Sequence, residues 1–227
     1  AAEILTKAGL KVVVVEEGPL KTSTDFKMRE ADAYPQLYQE SAARKTKDKA
    51  INVLQGRSVG GSTTVNWTSC FRTPATTLAH WQREFGLKDL TVEAMAPWFD
   101  AVDRRLSIRY WDLSPNENNQ LLRNAAWQLG VSVAPIRRNV KGCWNLGYCG
   151  MGCPTNAKQS MLLTTIPAAL TRGATLISRL RAEKLEFSGN KAVALESLAL
   201  KPDGLRPSGI RVSLRARHFV LAGGAIN

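Results

Sequence analysis

The sequence predicts an α/β fold with an antiparallel part added to it and a helical, irregular segment set into it. Three observations carry this. Val12-Val13-Val14-Val15 is a continuous apolar run of strand length, the pattern of a parallel strand covered on both faces. Apolar residues recur at helical spacing over residues 91–106 and 118–129. Residues 175–214 alternate short apolar runs with turn signals, the pattern of a meander.

Composition bounds the function classes. Of the 227 residues, 44% are hydrophobic and 22% charged, ordinary for a globular chain. No apolar run approaches the ~18 residues of a membrane helix, so no integral membrane segment is expected. No signal-peptide pattern opens the chain. It also lacks an initiator Met, so a targeting segment could precede it, and cytoplasmic, periplasmic and membrane-associated locations all stay open. The net charge of +12 raises the question of nucleic acid. The basic residues are scattered, however. Arg44-Lys45, Lys47 and Lys49 form one cluster, and Arg137-Arg138 with Lys141 another, and neither lies in a nucleic-acid-binding motif. No nucleic-acid partner is expected, although a basic anion binder remains an alternative class.

In chain order, residues 3–8 read as the end of a helix capped by Gly9. Lys11 to Glu16 is a buried-type strand, closed by Glu17-Gly18-Pro19. Residues 20–50 are polar and weakly patterned, a long excursion with some helix. Gly56 to Asn66 is a Gly/Ser/Thr-rich loop. A helix over 91–106 has Thr91 as its cap and Trp98, Phe99, Val102 and Leu106 on one face. A second, from about Asn118 to Leu129, has Leu121, Leu122, Ala125 and Leu129 on one side and stops at Gly130. Residues 139–156 are irregular. A helix from about Ser160 to Thr171 ends at Arg172-Gly173. Thr175–Ile177, Ala182–Phe187, Ala192–Leu200 and Gly209–Leu214 form the expected antiparallel meander. Its turns fall at Ser188-Gly189-Asn190 and Pro202-Asp203-Gly204. His218 to Ala222 reads as a final strand running into Gly223-Gly224.

Three places carry chemistry. Glu16 ends the first strand, where a dinucleotide-binding βαβ unit places a carboxylate that accepts both hydroxyls of a ribose. The glycine-rich turn of such a unit would lie before Ala1. Many α/β proteins end a strand in Glu, so this signal alone is weak. Gly56-Arg57-Ser58-Val59-Gly60-Gly61-Ser62-Thr63-Thr64-Val65-Asn66 is more specific. Paired glycines let backbone N–H groups approach an anion. Ser62 and Thr63 add hydroxyl donors, Arg57 adds charge, and Asn66 can donate and accept at a heterocycle edge. Cys143, Cys149 and Cys153, spaced C-x5-C-x3-C with Pro154 following, are the third. Proline after a cysteine ligand occurs in iron–sulfur runs. Zinc, a redox-labile pair, or small buried residues in a tight loop are the alternatives.

With those residues in view, the chain resembles the glucose–methanol–choline (GMC) oxidoreductases. Gly56 to Asn66 resembles the first signature of that family. Glu16-Glu17-Gly18-Pro19 resembles the end of its ribose-binding strand. Gly189-Asn190-Lys191-Ala192-Val193 resembles the turn after its adenine-contacting strand, and Phe219 to Asn227 its late flavin-binding strand. Cys70 and Thr73 depart from the second half of the first signature.

The resemblance implies a Rossmann-like FAD-binding domain over residues 1–75 and 157–227, incomplete at both ends, with residues 76–156 belonging to a substrate region. Glu16 would hold the adenosine ribose. Gly60, Gly61, Ser62 and Thr63 would line the pyrophosphate, with Arg57 near. Asn66, Trp67, Thr68 and Ser69 would lie along the isoalloxazine. Ala182 would meet the adenine, and Gly223 and Gly224 the phosphates and ribityl chain. Val65 stands where some relatives carry a His bonded to FAD, so FAD would be non-covalent. The cysteine segment is similar to that of GMC-type sugar dehydrogenases with a three-iron cluster, which makes Cys143, Cys149 and Cys153 an iron–sulfur candidate.

The implied reaction is oxidation of a CH–OH group, in an alcohol or sugar, by hydride transfer to FAD. An electron-acceptor protein is an implied partner. The loop from Gly147 to Ser160 looks more like bacterial dehydrogenase and long-chain alcohol oxidase members than other branches. The family's catalytic His would lie beyond Asn227. Neither His80 nor His218 matches it, so no catalytic residue is assigned, and the fragment alone is expected to be inactive and poorly stable. A cofactor-binding module without activity is the alternative.

Overall fold

The computed structural model describes residues 1–111, 113–224 and 226. They fall into two compact units. The first comprises residues 1–66, 145–156 and 160 onward, and the second residues 67–144 and 157–159.

In the first unit, α1 (Ala2–Lys7) carries Glu3 in its first turn and Lys7 in its last, the charge order a helix dipole favours. Gly9, at φ +80°, turns the chain into β1 (Val13–Glu16). The helix α6 (Thr165–Thr171) packs beside α1 and leads through Gly173 into β5 (Thr175–Ser178). β5 pairs parallel with β1, from Val13 opposite Thr175 to Glu16 opposite Ser178.

This corrects two expectations. Residues 175–177 belong to the parallel pair, not to the meander. β1 is not covered on all sides either: Val13 is 48% exposed, and β5 is its one strand neighbour among the described residues. α6 is also shorter than expected at its start, because Ser160 to Thr164 first forms a separate turn in which both the N–H and the hydroxyl of Thr164 donate to the Ser160 carbonyl.

The meander itself is β6 (Leu180–Ser188), β7 (Lys191–Leu200) and β8 (Pro207–Arg215), in that order and antiparallel. Gly189-Asn190 makes the first turn. In the second, the Asp203 carboxylate accepts the N–H groups of Leu205 and Arg206 at 2.9 and 3.1 Å. Those donors hold its carboxyl low, at about 2. Residues 218–222 form no strand. A strand needs a hydrogen-bonded neighbour, and no described strand runs beside them.

Between β1 and this sheet the chain makes the expected excursion. It contains α2 (Glu30–Leu37), a helical turn at Ser23–Asp25 and a left-handed turn at Gln39–Ala42. Phe26, Ala33, Leu37, Tyr38 and Val65 form a buried cluster, with Tyr34, Ala42, Met151 and Leu162 packed on it.

The second unit holds a short antiparallel sheet in the order β2 (Ser69–Cys70), β4 (Arg137–Asn139), β3 (Ile108–Tyr110). Its helices are α3 (Ala75–Phe85), α4 (Val92–Arg105) and α5 (Glu117–Gln128). Thr91 caps α4 by accepting the Ala94 N–H at 3.1 Å, and Asn116 caps α5 through Asn119 at 2.9 Å. α4 and α5 form where expected, but their apolar faces are only partly used. Leu106 is buried, whereas Trp98, Leu121 and Leu122 are exposed. An ion-pair chain ties α4 to this sheet: Arg72 meets Asp100 and Asp103, and Arg137 meets Asp103 at 2.9 Å.

Candidate functional site

The glycine-rich segment is laced into the first unit from both sides. Gly56 forms an antiparallel bridge with Tyr38. The Arg57 N–H donates to the Leu37 carbonyl at 2.7 Å, and the Gln39 N–H to the Gln55 carbonyl at 2.9 Å. On the other side the Val59 N–H donates to Pro19, the residue after Gly18, at 3.0 Å. Gly18 lies so close to the Arg57–Ser58 peptide that a Cβ there would overlap it. The turn after β1 and the glycine-rich segment are therefore in backbone contact.

Gly60, at φ +93°, starts a helical turn over Gly61–Thr64. A Cβ on it would stand 2.5 Å from Thr64 Oγ1 and 2.9 Å from the Leu162 nitrogen, so only glycine fits. Gly61, at φ +58°, differs: a Cβ there would meet nothing within 4 Å. The turn thus presents a bare backbone to open space at Gly61, whose own N–H donates to the Ser58 carbonyl at 2.7 Å.

The hydroxyls divide in the same way. Thr63 Oγ1 donates to the Gly60 carbonyl at 2.5 Å and accepts the Met161 N–H at 3.0 Å, so its proton is spent inside the protein. The exposed Ser62 accepts the Gly56 N–H at 2.9 Å and keeps its proton for an outside acceptor. Ser58 Oγ is buried without a partner.

Glu16 ends β1 with Oε1 accepting the Gly18 N–H at 2.7 Å. Burial pushes its carboxyl above the usual carboxylate range. The Gly18 N–H opposes that, the neighbouring Glu17 adds to it, and Arg57 opposes it again. Glu17 accepts from Gln39 Nε2 at 3.3 Å.

Arg57 is placed differently from expectation. Its guanidinium, 5% exposed, faces the protein, donating to the carbonyls of Gly204 and Pro35, with Glu17 Oε1 at 4.0 Å. Two carbonyl groups take its donors, with a carboxylate near by, an arrangement no local sequence pattern signals.

The remaining positions are spread over the fold. Gly224, at φ +95°, comes beside Gln55: a Cβ on it would lie 3.2 Å from Nε2. It therefore lies at the start of the glycine-rich segment, with Gly223 preceding it. Ala182 is exposed on β6, opposite Ser197 and next to a bulge. Asn66 is exposed in the first unit. Trp67, Thr68 and Ser69 belong to the second, where Trp67 and Ser69 are exposed. Thr68 is fully buried, at φ +64°, with Oγ1 accepting from Arg138 Nε at 2.7 Å.

Sequence reasoning missed Tyr38. Its buried hydroxyl donates to the Gly150 carbonyl at 2.6 Å, with the Val65 carbonyl at 3.4 Å, and burial pushes its pKa up to about 12. It ties the cysteine loop to the end of the glycine-rich segment. The signal available was Tyr34 and Tyr38 one helical turn apart, which form an edge-to-face pair.

The cysteine reading gains no support from the described residues. Among the described residues, no three His, Cys, Asp or Glu side chains group as a metal site requires. Cys149 and Cys153 belong to the first unit and Cys143 to the second. The loop is shaped by glycine instead: Gly152, at φ +87°, packs where a Cβ would overlap the Phe26 ring, and Cys153 Sγ lies 3.5 Å from Thr155 Oγ1.

Residues 34–227 match the family model described as GMC oxidoreductase. The chain is 34% identical over 227 residues to an uncharacterized GMC-type oxidoreductase of Mycobacterium tuberculosis H37Rv, covering 99% of this chain and 35% of that protein. It is 30% identical over 192 residues to a long-chain-alcohol oxidase of Arabidopsis thaliana, covering 85% of this chain and 25% of that one. The chain thus spans about a third or less of these relatives' length. Among solved structures, pyridoxine 4-oxidase from Mesorbium loti superposes with a TM-score of 0.69 at 16% identity, over 95% of this chain and 45% of that one. Formate oxidase of Aspergillus oryzae RIB40 gives 0.65 at 12%, over 95% and 41%. These likenesses show a shared fold.

Proposed function

The chain belongs to the GMC oxidoreductase family, and from that premise we propose that its first unit holds FAD, without a covalent bond, for an enzyme that oxidises the CH–OH group of an alcohol. The observation that carries this reading is the Gly60–Thr64 turn. It is closed to side chains on its inner side at Gly60 and open at Gly61. A cradle of that kind accepts a pyrophosphate against backbone N–H groups and rejects bulk.

In this reading Glu16 accepts the adenosine ribose hydroxyls, and Ser62 donates to a phosphate oxygen. Gly223 and Gly224 pass the ligand by backbone, and Ala182 meets the adenine. Asn66 contributes to the flavin side. Thr63 serves by shaping the turn. FAD, when bound, supplies the electron sink for hydride from the donor carbon. The second unit is read as part of the substrate-binding region. A long-chain or other alcohol is the substrate class favoured by the relatives' names, with a sugar as the alternative.

Val65 supports the non-covalent attachment. Its side chain is hydrocarbon and sits in the buried cluster with Tyr38 and Leu37. Incubating the chain with FAD, desalting and then denaturing in acid tests this. The flavin is expected to co-elute with the folded chain and to leave it completely on denaturation. Flavin that stays on the precipitated peptide would contradict the reading.

A further inference from the structure

We propose that Arg57 is a positioning residue that sets the span between the two ends of the cofactor site, and that it does not touch the cofactor's phosphates. This rests on the FAD reading above. Three separate segments converge on one guanidinium: the Gly204 carbonyl from the turn between β7 and β8, the Pro35 carbonyl within α2, and Glu17 next to the ribose-holding Glu16. The backbone of the same residue touches Gly18 and donates to Leu37. A planar fork with five N–H donors can hold several acceptors in a fixed arrangement, which a lysine ammonium on a flexible stem does not reproduce. Carbonyls left without a donor away from water are costly, so the fork adds a side-chain tie among three segments that the backbone bonds to Leu37 and Pro19 already bring near. Arg57 stands three residues before Gly60 and beside the Glu16–Gly18 turn. The fork therefore fixes where the ribose end lies relative to the pyrophosphate turn.

The opposing possibility is a direct charge contact with phosphate, and the two differ in three readouts. If Arg57 positions, Arg57→Lys loses about tenfold or more in FAD affinity despite keeping the charge, as does Arg57→Met. The dependence of affinity on salt stays that of the unsubstituted chain. In the unsubstituted chain, phenylglyoxal followed by peptide mapping leaves Arg57 unmodified whether or not FAD is present.

If Arg57 contacts phosphate, Lys restores most of the affinity and Met flattens the salt dependence. Arg57 is then modified without FAD and protected by it. Any of those three results overturns the proposal. The labelling arm needs no variant, so it decides the matter even if the substituted chains fail to fold. An unsubstituted chain that is folded yet binds no FAD would instead refute the cofactor reading on which this rests.

Discussion

At Gly60 and Gly61 one residue type serves two opposite ends. Gly60 is glycine because the protein fills the space a Cβ would need, and Gly61 is glycine beside space the protein leaves open. Gly60→Ala must therefore displace Thr64 or Leu162 as well as strain the backbone, and is expected to cost roughly 3 kcal/mol or more of stability. Gly61→Ala pays only for its left-handed backbone, about 1 kcal/mol, yet puts a methyl in the cradle. Thermal melts should separate the two, while FAD titration should find both impaired.

Glu16 makes a pH prediction. Its folded-state pKa is raised, chiefly by burial, so the folded chain holds this proton more tightly than the unfolded chain. The stabilisation it contributes is complete below the ordinary carboxylate range and is lost as pH rises through the raised value. Glu16→Gln should flatten that stretch of the stability profile of the ligand-free chain. A ribose diol donates to the ionised form, so FAD affinity should rise with pH across the same window, and not in Glu16→Gln. Affinity independent of pH in both would refute the ribose role.

Among the elements, the cysteine loop depends on a residue outside it. Tyr38 donates from the end of α2 to Gly150, across 112 positions of sequence. Tyr38→Phe would leave a buried carbonyl unsatisfied, a loss of about 1–3 kcal/mol. Hydrogen exchange should speed up across residues 148–152 before it does in β6–β8; equal rates there would show that the loop holds without the bond. This bond was not legible because long-range partners leave no periodicity.

Local signals were legible. Thr91 and its apolar followers marked α4, Gly189-Asn190 marked a hairpin, and Gly56–Asn66 marked a glycine-shaped turn. The direction of β5 was not, because an apolar strand of four residues reads alike whether its neighbour runs parallel or antiparallel. Nor was the inward turn of Arg57, since nothing in its sequence neighbours distinguishes a buried guanidinium from one reaching for an anion. The Cys spacing suggested a cluster, and among the described residues no three such side chains group as a metal site requires.

For the whole molecule, the net charge of +12 invites a polyanion reading, while the fold ties several basic residues into the structure. Arg57 holds carbonyls, and Arg72 and Arg137 hold aspartates. Many large apolar side chains remain exposed, among them Phe71, Trp98, Leu121 and Trp144. If the first unit holds FAD as proposed, the cofactor adds to its stability. A ligand at about a hundred times its Kd adds ~2.7 kcal/mol by mass action alone. The most direct test of the central claim is the thermal unfolding of this chain over a series of FAD concentrations. The account predicts a midpoint that climbs with FAD, is insensitive to riboflavin, and loses its response in Gly61→Ala. A folded chain whose midpoint does not move at millimolar FAD would contradict it.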